Sequence, residues 1–138
     1  MGRLPIPRST STLNGIAASE NGKTLIVGHS GHGTLFTVNP DTGASAPIAG
    51  VGVPSVDGIL LEGRRVYAVQ NFLNQIGVID LSPDLSSGEV ADVITSPLFQ
   101  VPTTVARYAN RLAVVNAKFD TDLPPTANTY EVVQVKGN

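Results

Sequence analysis

Apolar and polar residues alternate along the chain in short runs, and clusters of Gly, Pro, Asn, Asp and Ser separate these runs. Alternation with a period of two residues is typical of β-strands, and no segment shows the 3.6-residue apolar period of an amphipathic helix. The pattern predicts short strands over residues 15–19, 24–29, 34–39, 46–49, 58–61, 65–70, 75–81, 89–95, 103–108, 112–116 and 130–135.

The same order of strands and turns occurs three times. Asn14-Gly15 opens the first unit and Asp57-Gly58 opens the second, while Thr103 holds the corresponding place in the third, at spacings of 43 and 46 residues. A four-stranded unit of about this length is typical of a propeller blade. We therefore predict an all-β fold, a β-propeller of four-stranded antiparallel blades at about 13–55, 56–101 and 102–138, with residues 1–12 as an N-terminal linker.

The number of predicted blades is low for a closed ring. A β-sandwich also has short strands and frequent turns, but its strands need not repeat the strand-turn order with a polar-Gly pair at the same point. Closed propellers use about four to eight blades, and the third unit ends after its third strand. The chain is therefore expected to be the C-terminal half of a longer propeller, or to form a homodimer about a two-fold axis that has six blades.

Composition excludes several classes of function. The chain has 138 residues, with 9 basic and 11 acidic side chains, so it has no basic surface for nucleic acid or for an anionic membrane. It has no cysteine, which excludes disulfides and thiolate metal sites. No apolar run approaches the roughly 20 residues of a membrane span, and no signal peptide is visible, so we expect a soluble protein whose compartment is undetermined.

The alternating direction of the strands predicts which residues could bind a metal ion. Neighbouring strands of a blade are antiparallel, so the entry to strand one and the loop between strands two and three share one end of the blade. Asn14, Asp57 and Thr103 are therefore expected at one opening, surrounded by loops 30–33, 71–74 and 117–128. Oxygen ligands suit Ca²⁺, Mg²⁺ or Mn²⁺, but two are too few for any of these ions. The alternative is that Asn14-Gly15 and Asp57-Gly58 are only turn residues.

Two segments carry a family resemblance, LNGIAASENGKTLIVGHSGHGTLFTVNPDTG (13–43) and VDGILLEGRRVYAVQN (56–71). They resemble consecutive blades of the SMP-30/gluconolactonase/LRE-like family of six-bladed propellers. The resemblance implies a divalent cation at the channel mouth, often Ca²⁺ or Zn²⁺, bound by a Glu from an early blade, an Asn and an Asp. Asn14 and Asp57 match the last two positions, and the resemblance gives Asp57 the further role of proton acceptor in lactone hydrolysis. The blade that would carry the Glu is absent, which favours truncation.

Other polar residues are candidates for binding a substrate. Asn71 and Asn74 follow the second strand of the second unit, and Asn116 ends the second strand of the third; each could recognise substrate hydroxyls or simply form hydrogen bonds within its loop. His29 and His32 could form a metal pair, but the expected arrangement is a glycine-rich loop with exposed imidazoles, with His32 at the pocket rim.

Two functions remain open on this basis. One is a metal-dependent lactone or ester hydrolase, or a fragment of one, with Asp57 as the catalytic residue, Asn14 and Asp57 as metal ligands, and Ca²⁺, Zn²⁺ or Mn²⁺ as the cofactor. Its expected substrate-binding residues are Asn71, Asn74, Asn116, Thr103 and His32. The other is a non-catalytic propeller module that binds a small molecule or a protein partner.

Overall fold

A computed structural model describes residues 13–138, and in this part of the chain eleven strands form three antiparallel sheets. Sheet 1 contains β1 (Leu13–Ala18), β2 (Leu25–His29), β3 (Thr34–Val38) and β4 (Ser45–Pro47). Sheet 2 contains β5 (Val56–Glu62), β6 (Arg65–Gln70), β7 (Gln75–Leu81) and β8 (Gly88–Thr95), with a 3₁₀ turn at Asn71–Leu73. Sheet 3 contains β9 (Pro102–Tyr108), β10 (Arg111–Asn116) and β11 (Val132–Lys136). The predicted all-β class is confirmed.

Within each sheet the strands lie side by side in chain order. The predicted bounds of β6 and β7 agree with the structure residue for residue, and most of the other strands differ by one or two residues. Local alternation was sufficient to locate these strands because each one pairs with its immediate neighbours in the chain. The shortest strand is β4, an edge strand at Ser45–Pro47 that was expected at 46–49.

Sheet 2 is the middle layer and is buried on both faces. Along β6, Val66 and Ala68 belong to a core cluster shared with sheet 1, whereas Tyr67 and Val69 belong to a second cluster shared with sheet 3. A strand with an apolar core on each side needs apolar residues at consecutive positions, and this explains the uninterrupted run Val66–Val69. Sheets 1 and 3 contact sheet 2 through one face each.

The first strands of the three sheets are in close backbone contact. A Cβ atom added to Gly15 of β1 would overlap the carbonyl oxygen of Asp57 in β5. A Cβ atom added to Gly58 of β5 would lie 2.6 Å from the carbonyl oxygen of Thr103 and 2.8 Å from the Cα atom of Thr104 in β9. The glycine that follows each polar residue is therefore required for packing, because it lets the next sheet approach the backbone directly.

The two ends of the sheets differ. We call the end at which β1, β5 and β9 begin and β2, β6 and β10 end the connector end, because segments 48–55 and 96–101 enter the next sheet there. At the opposite end, Arg107 of β9 donates to Glu62 of β5 at 2.8 Å and to the hydroxyl of Tyr67 at 3.0 Å. These contacts join sheets 2 and 3 far from the connectors.

Among residues 13–138, the structure contains no helix long and apolar enough to cross a membrane. The linker predicted for residues 1–12 lies outside the described residues.

Gly58→Ala should destabilise the protein. The new methyl group would meet backbone atoms of Thr103 and Thr104, which have no alternative rotamer, and overpacking of this kind costs about 1–3 kcal/mol. Urea denaturation measures the change. Gly52→Ala is the matched control, because a Cβ atom there meets nothing within 4 Å. Equal midpoints for the two variants would contradict the packing role of Gly58.

Candidate functional site

Asp57 and Asn71 meet at the connector end of sheet 2. Asp57 is the second residue of β5, and Asn71 immediately follows β6. The side-chain amide of Asn71 donates to Oδ2 of Asp57 at 3.2 Å, and the backbone N–H of Asn71 donates to the carbonyl of Ser55 at 3.1 Å. The parity argument is thus confirmed within this sheet, since the entry to its first strand and the loop after its second strand are joined by hydrogen bonds.

Asn14 and Thr103 lie on the strands on either side of Asp57, because the first strands of the three sheets are in backbone contact. Gly15, which follows Asn14, abuts the carbonyl of Asp57, and Gly58, which follows Asp57, abuts the carbonyl of Thr103. The exposed side chain of Asn14 accepts a hydrogen bond from the N–H of Gly15 at 3.2 Å, and Thr103 is half-buried. The three corresponding positions therefore follow one another across the connector end.

The carboxyl group of Asp57 is in a mixed environment. Its partial burial raises the pKa above the ordinary aspartate value, and the hydrogen bond from Asn71 lowers the pKa in part. A raised pKa makes a carboxylate a better proton acceptor when it is ionised, and Asn71 holds the group in one orientation. Asp57 can therefore accept a proton from, or bind, a polar group presented at the connector end.

A metal ion needs more donors than these residues supply. The oxygen atoms of Asp57, Asn14 and Asn71 are of the type that hard divalent cations prefer, but Ca²⁺ takes about six to eight oxygens. The carboxamide oxygen of Asn14 accepts from the N–H of Gly15, and that of Asn71 accepts from the N–H of Phe72 at 2.7 Å. Residues 13–138 contain no group of three or more His, Cys, Asp or Glu side chains that could hold a metal ion. By themselves, the described residues do not fit a divalent ion.

Asn74 and Asn116, both expected to bind a substrate, form hydrogen bonds with the backbone of the segment that enters sheet 3. Oδ1 of Asn74 accepts from the N–H of Val101 at 2.8 Å. Asn116 is 1% exposed; its Oδ1 accepts from the N–H of Gln100 and its Nδ2 donates to the carbonyl of Leu98, both at 2.9 Å. These contacts agree with the alternative of hydrogen bonding within loops.

The last residue of the second strand is buried and polar in every sheet. These residues are His29, Gln70 and Asn116, and they are 1%, 3% and 1% exposed. Nε2 of Gln70 donates to the carbonyl of Pro54 at 2.9 Å, so Gln70 holds the connector into sheet 2 as Asn116 holds the connector into sheet 3. We call Gln70 and Asn116 the connector tethers. The sequence pointed to Asn116 at this position but not to its recurrence in all three sheets, although a polar residue ends an apolar run each time, in LIVGH (25–29), VYAVQ (66–70) and LAVVN (112–116).

His29 and His32 do not both have exposed imidazoles, as the glycine-rich loop had suggested. His29 is buried, and its Nδ1 accepts from the N–H of His32 at 3.1 Å. His32 is exposed, and its ring stands edge-on to the ring of His29 with centroids 4.2 Å apart. Phe36 packs beside both rings. His29 is therefore an interior residue of sheet 1, whereas the exposed ring of His32 lies in the loop that leaves β2.

The long loop between β10 and β11 is anchored by Lys118. Lys118 is buried, and its Nζ donates to the carbonyl of Thr129 and to Oε1 of Glu131, both at 2.7 Å. The hydrogen bond from Lys118 holds the pKa of Glu131 below its ordinary value, with a further contribution from Asn116. The two ends of this loop are therefore joined by a buried lysine.

Comparison of the chain with protein-family models finds no match, and a search of curated proteins finds no significant match. The likeness to SMP-30/gluconolactonase/LRE-like propellers therefore depends on the short motifs around Asn14 and Asp57.

The stability of the protein should depend on the protonation state of the half-buried Asp57 carboxyl. The folded protein binds this proton more tightly than the unfolded chain, so the contribution of Asp57 to the free energy of unfolding is present at low pH. It is lost as the pH rises from the ordinary aspartate pKa through the raised value. Asp57→Asn should remove this loss, so the stability of the variant relative to the parent should rise across that interval, as measured by urea unfolding at several pH values.

An NMR titration of the Asp57 carboxyl tests the cause of the shift. Asn71→Ala should raise the pKa further, because it removes the hydrogen bond that favours the charged form. Asn128→Ala changes an exposed loop asparagine and should leave the titration unchanged. A pKa below the ordinary aspartate value in the parent protein would contradict the assigned environment.

The Asn116→Ala variant should be less stable than the parent protein. It leaves the N–H of Gln100 and the carbonyl of Leu98 without the side chain that satisfies them, at a cost of about 1–3 kcal/mol. Thermal or urea denaturation provides the measurement, with Asn128→Ala as the exposed control. A stability equal to that of the parent would mean that Asn116 is not needed for the fold and would favour a ligand-binding role.

Proposed function

We propose that sheets 1, 2 and 3 are consecutive blades of a β-propeller. The proposal is supported by the repeated contact between first strands, in which Gly15 meets Asp57 and Gly58 meets Thr103. Sheets related by rotation about a common axis would make this same contact at equivalent positions of each neighbouring pair. On this arrangement the connector end is one mouth of the central channel.

Completing such a ring requires further sheets, from additional polypeptide or from a second copy of the chain. Sheet 3 differs from the others at one relevant position, because Thr104 stands where Gly15 and Gly58 stand in the first strands. A side chain at this position prevents the direct backbone approach seen twice within the structure. A sheet that follows sheet 3, including sheet 1 of a homodimer partner, would therefore pack at a greater separation.

For the activity, we propose a lactone or ester hydrolase in which Asp57 is the proton acceptor. The observation that carries this proposal is the half-buried Asp57 carboxylate, held by Asn71 at the end where the first strands converge. Asp57 would take the proton of the attacking water, and a neutral carboxylic acid would then be favoured by the same burial. Thr103 and the exposed His32 are among the polar side chains available to contact the small-molecule substrate.

A divalent cation belongs to this proposal only with ligands from outside residues 13–138. Asn14 and Asp57 would each supply an oxygen, and Ca²⁺ is the preferred ion, with Zn²⁺ and Mn²⁺ as alternatives. The carboxylate missing from the described residues would have to come from another part of a complete ring.

The second candidate is a non-catalytic propeller module that binds a small polar molecule or a protein partner. The observation that favours it is the single carboxylate of the site, together with two asparagine oxygens that already accept backbone hydrogen bonds. Such a site can hold a ligand donor group without activating water.

Calorimetry with Ca²⁺, Mn²⁺ and Zn²⁺, followed by assays on lactones and aryl esters, separates the two functions. Hydrolysis that is reduced at least about 100-fold in Asp57→Asn would support the hydrolase, since general-base catalysis contributes about 10²–10⁴-fold. Asp41→Asn alters an exposed turn and should retain full activity. Retained turnover in Asp57→Asn would overturn the role of Asp57, whereas Asp57-dependent binding of ions or lactones without turnover would support the binding module.

A further inference from the structure

Asparagine followed directly by glycine occurs twice in the chain, at Asn14-Gly15 and at Asn21-Gly22. In such a pair the backbone nitrogen of the glycine can attack the side-chain carbonyl carbon of the asparagine, because glycine has no side chain to obstruct the approach. The bond from that carbon to the side-chain nitrogen then breaks, ammonia leaves and a five-membered succinimide ring remains. Water opens the ring to aspartate or isoaspartate. The structure places the two pairs in very different surroundings.

The first pair lies in a packed strand. Asn14 is the second residue of β1 and is paired with Gly28 of β2. A Cβ atom added to Gly15 would overlap the carbonyl oxygen of Asp57 and would lie 2.8 Å from the backbone nitrogen of Ile59, so the main chain of β5 fills the space beside this glycine. Closing a succinimide ring requires rotation of the main chain, and this packing opposes it.

The second pair lies in the exposed turn between β1 and β2. Asn21 and Gly22 are both exposed, and a Cβ atom added to Gly22 would meet nothing within 4 Å. The N–H of Gly22 donates to the carbonyl of Ser19, and the N–H of Ser19 donates to the carbonyl of Thr24, both at 2.8 Å. Opening the first bond frees the glycine nitrogen while the second still joins the two strands. Exposed turn bonds of this kind open locally at a small cost in free energy.

The amide oxygen of Asn21 already accepts two hydrogen bonds. The hydroxyl of Ser19 donates to Oδ1 of Asn21 at 2.8 Å, and the N–H of Lys23 donates to the same atom at 2.9 Å. Negative charge develops on this oxygen when the glycine nitrogen attacks, so donors aimed at it stabilise the tetrahedral intermediate as an oxyanion hole does. Oδ1 of Asn14 instead accepts from the N–H of Gly15, a donor that is lost once the attacking nitrogen gives up its proton.

We propose that Asn21 is a site of spontaneous deamidation in the folded protein. The nitrogen of Gly22 attacks the side-chain carbonyl carbon of Asn21, the donors of Ser19 and Lys23 promote this step, and ammonia is released. Asn14 has the same following residue but is protected by the fold. The product gains a negative charge in the turn, and isoaspartate also lengthens the main chain between β1 and β2 by one methylene group. The proposal does not depend on the hydrolase.

Ageing the full chain at mildly alkaline pH tests the choice of site, because the attacking nitrogen must lose its proton. Peptide mapping by mass spectrometry should find the conversion of amide to carboxyl at Asn21 at least about tenfold faster than at Asn14. In urea the two residues should react at similar rates, since glycine follows both. Reaction of Asn14 at a rate equal to or above that of Asn21 in the folded chain would overturn the proposal.

Two variants of Ser19 test the promotion of the attack. Ser19→Ala removes one donor to Oδ1 of Asn21 and should slow deamidation about two- to tenfold, since a hydrogen bond of this kind is worth about 0.5–1.5 kcal/mol. Ser19→Thr keeps a hydroxyl group and should retain the parent rate. Circular dichroism shows whether both variants are folded. A rate in folded Ser19→Ala that is unchanged or higher would contradict the role given to the hydroxyl and overturn the proposal.

Discussion

The arrangement of the three sheets depends on direct backbone contact between their first strands. Glycine at positions 15 and 58 allows the carbonyl groups of Asp57 and Thr103 to approach to a distance that no side chain would permit. This contact sets the separation of neighbouring sheets at the connector end, and the two apolar clusters fill the wider space between the strands that follow. Specificity of packing thus comes from an absent side chain as much as from the buried ones.

The same contact determines the neighbourhood of Asp57. A polar residue immediately before each glycine is carried to the connector end of its sheet, where the loop after the second strand also lies. Asp57 is consequently half-buried, which makes its carboxyl harder to ionise, and the hydrogen bond from Asn71 offsets part of that effect. The combination of one partly desolvated carboxylate with an orienting amide is the chemical basis of both proposed functions.

Sequence predicted the strands well because their signals are local. Alternating side chains and turn residues located β6 and β7 to the residue, and the repeated polar-Gly pair located Asp57. The roles of Asn74, Gln70 and Asn116 were not predictable in the same way, since each depends on which connector passes beside it. The burial of His29 was missed for a related reason, because adjacent glycines suggested an open loop while tertiary packing enclosed the ring. The contacts of Lys118 with Thr129 and Glu131 depend on how the long loop folds back, which the local sequence does not show.

The connector tethers bear on how whole sheets can be added to or removed from such a protein during evolution. Gln70 binds the segment that enters its own sheet, and Asn116 does the same for the following one. Each entry segment is therefore held by a side chain of the same sheet that the segment enters. A gene segment duplicated or deleted with its connector would carry its own anchor, so whole units could be gained or lost during evolution without redesign of the remaining ones.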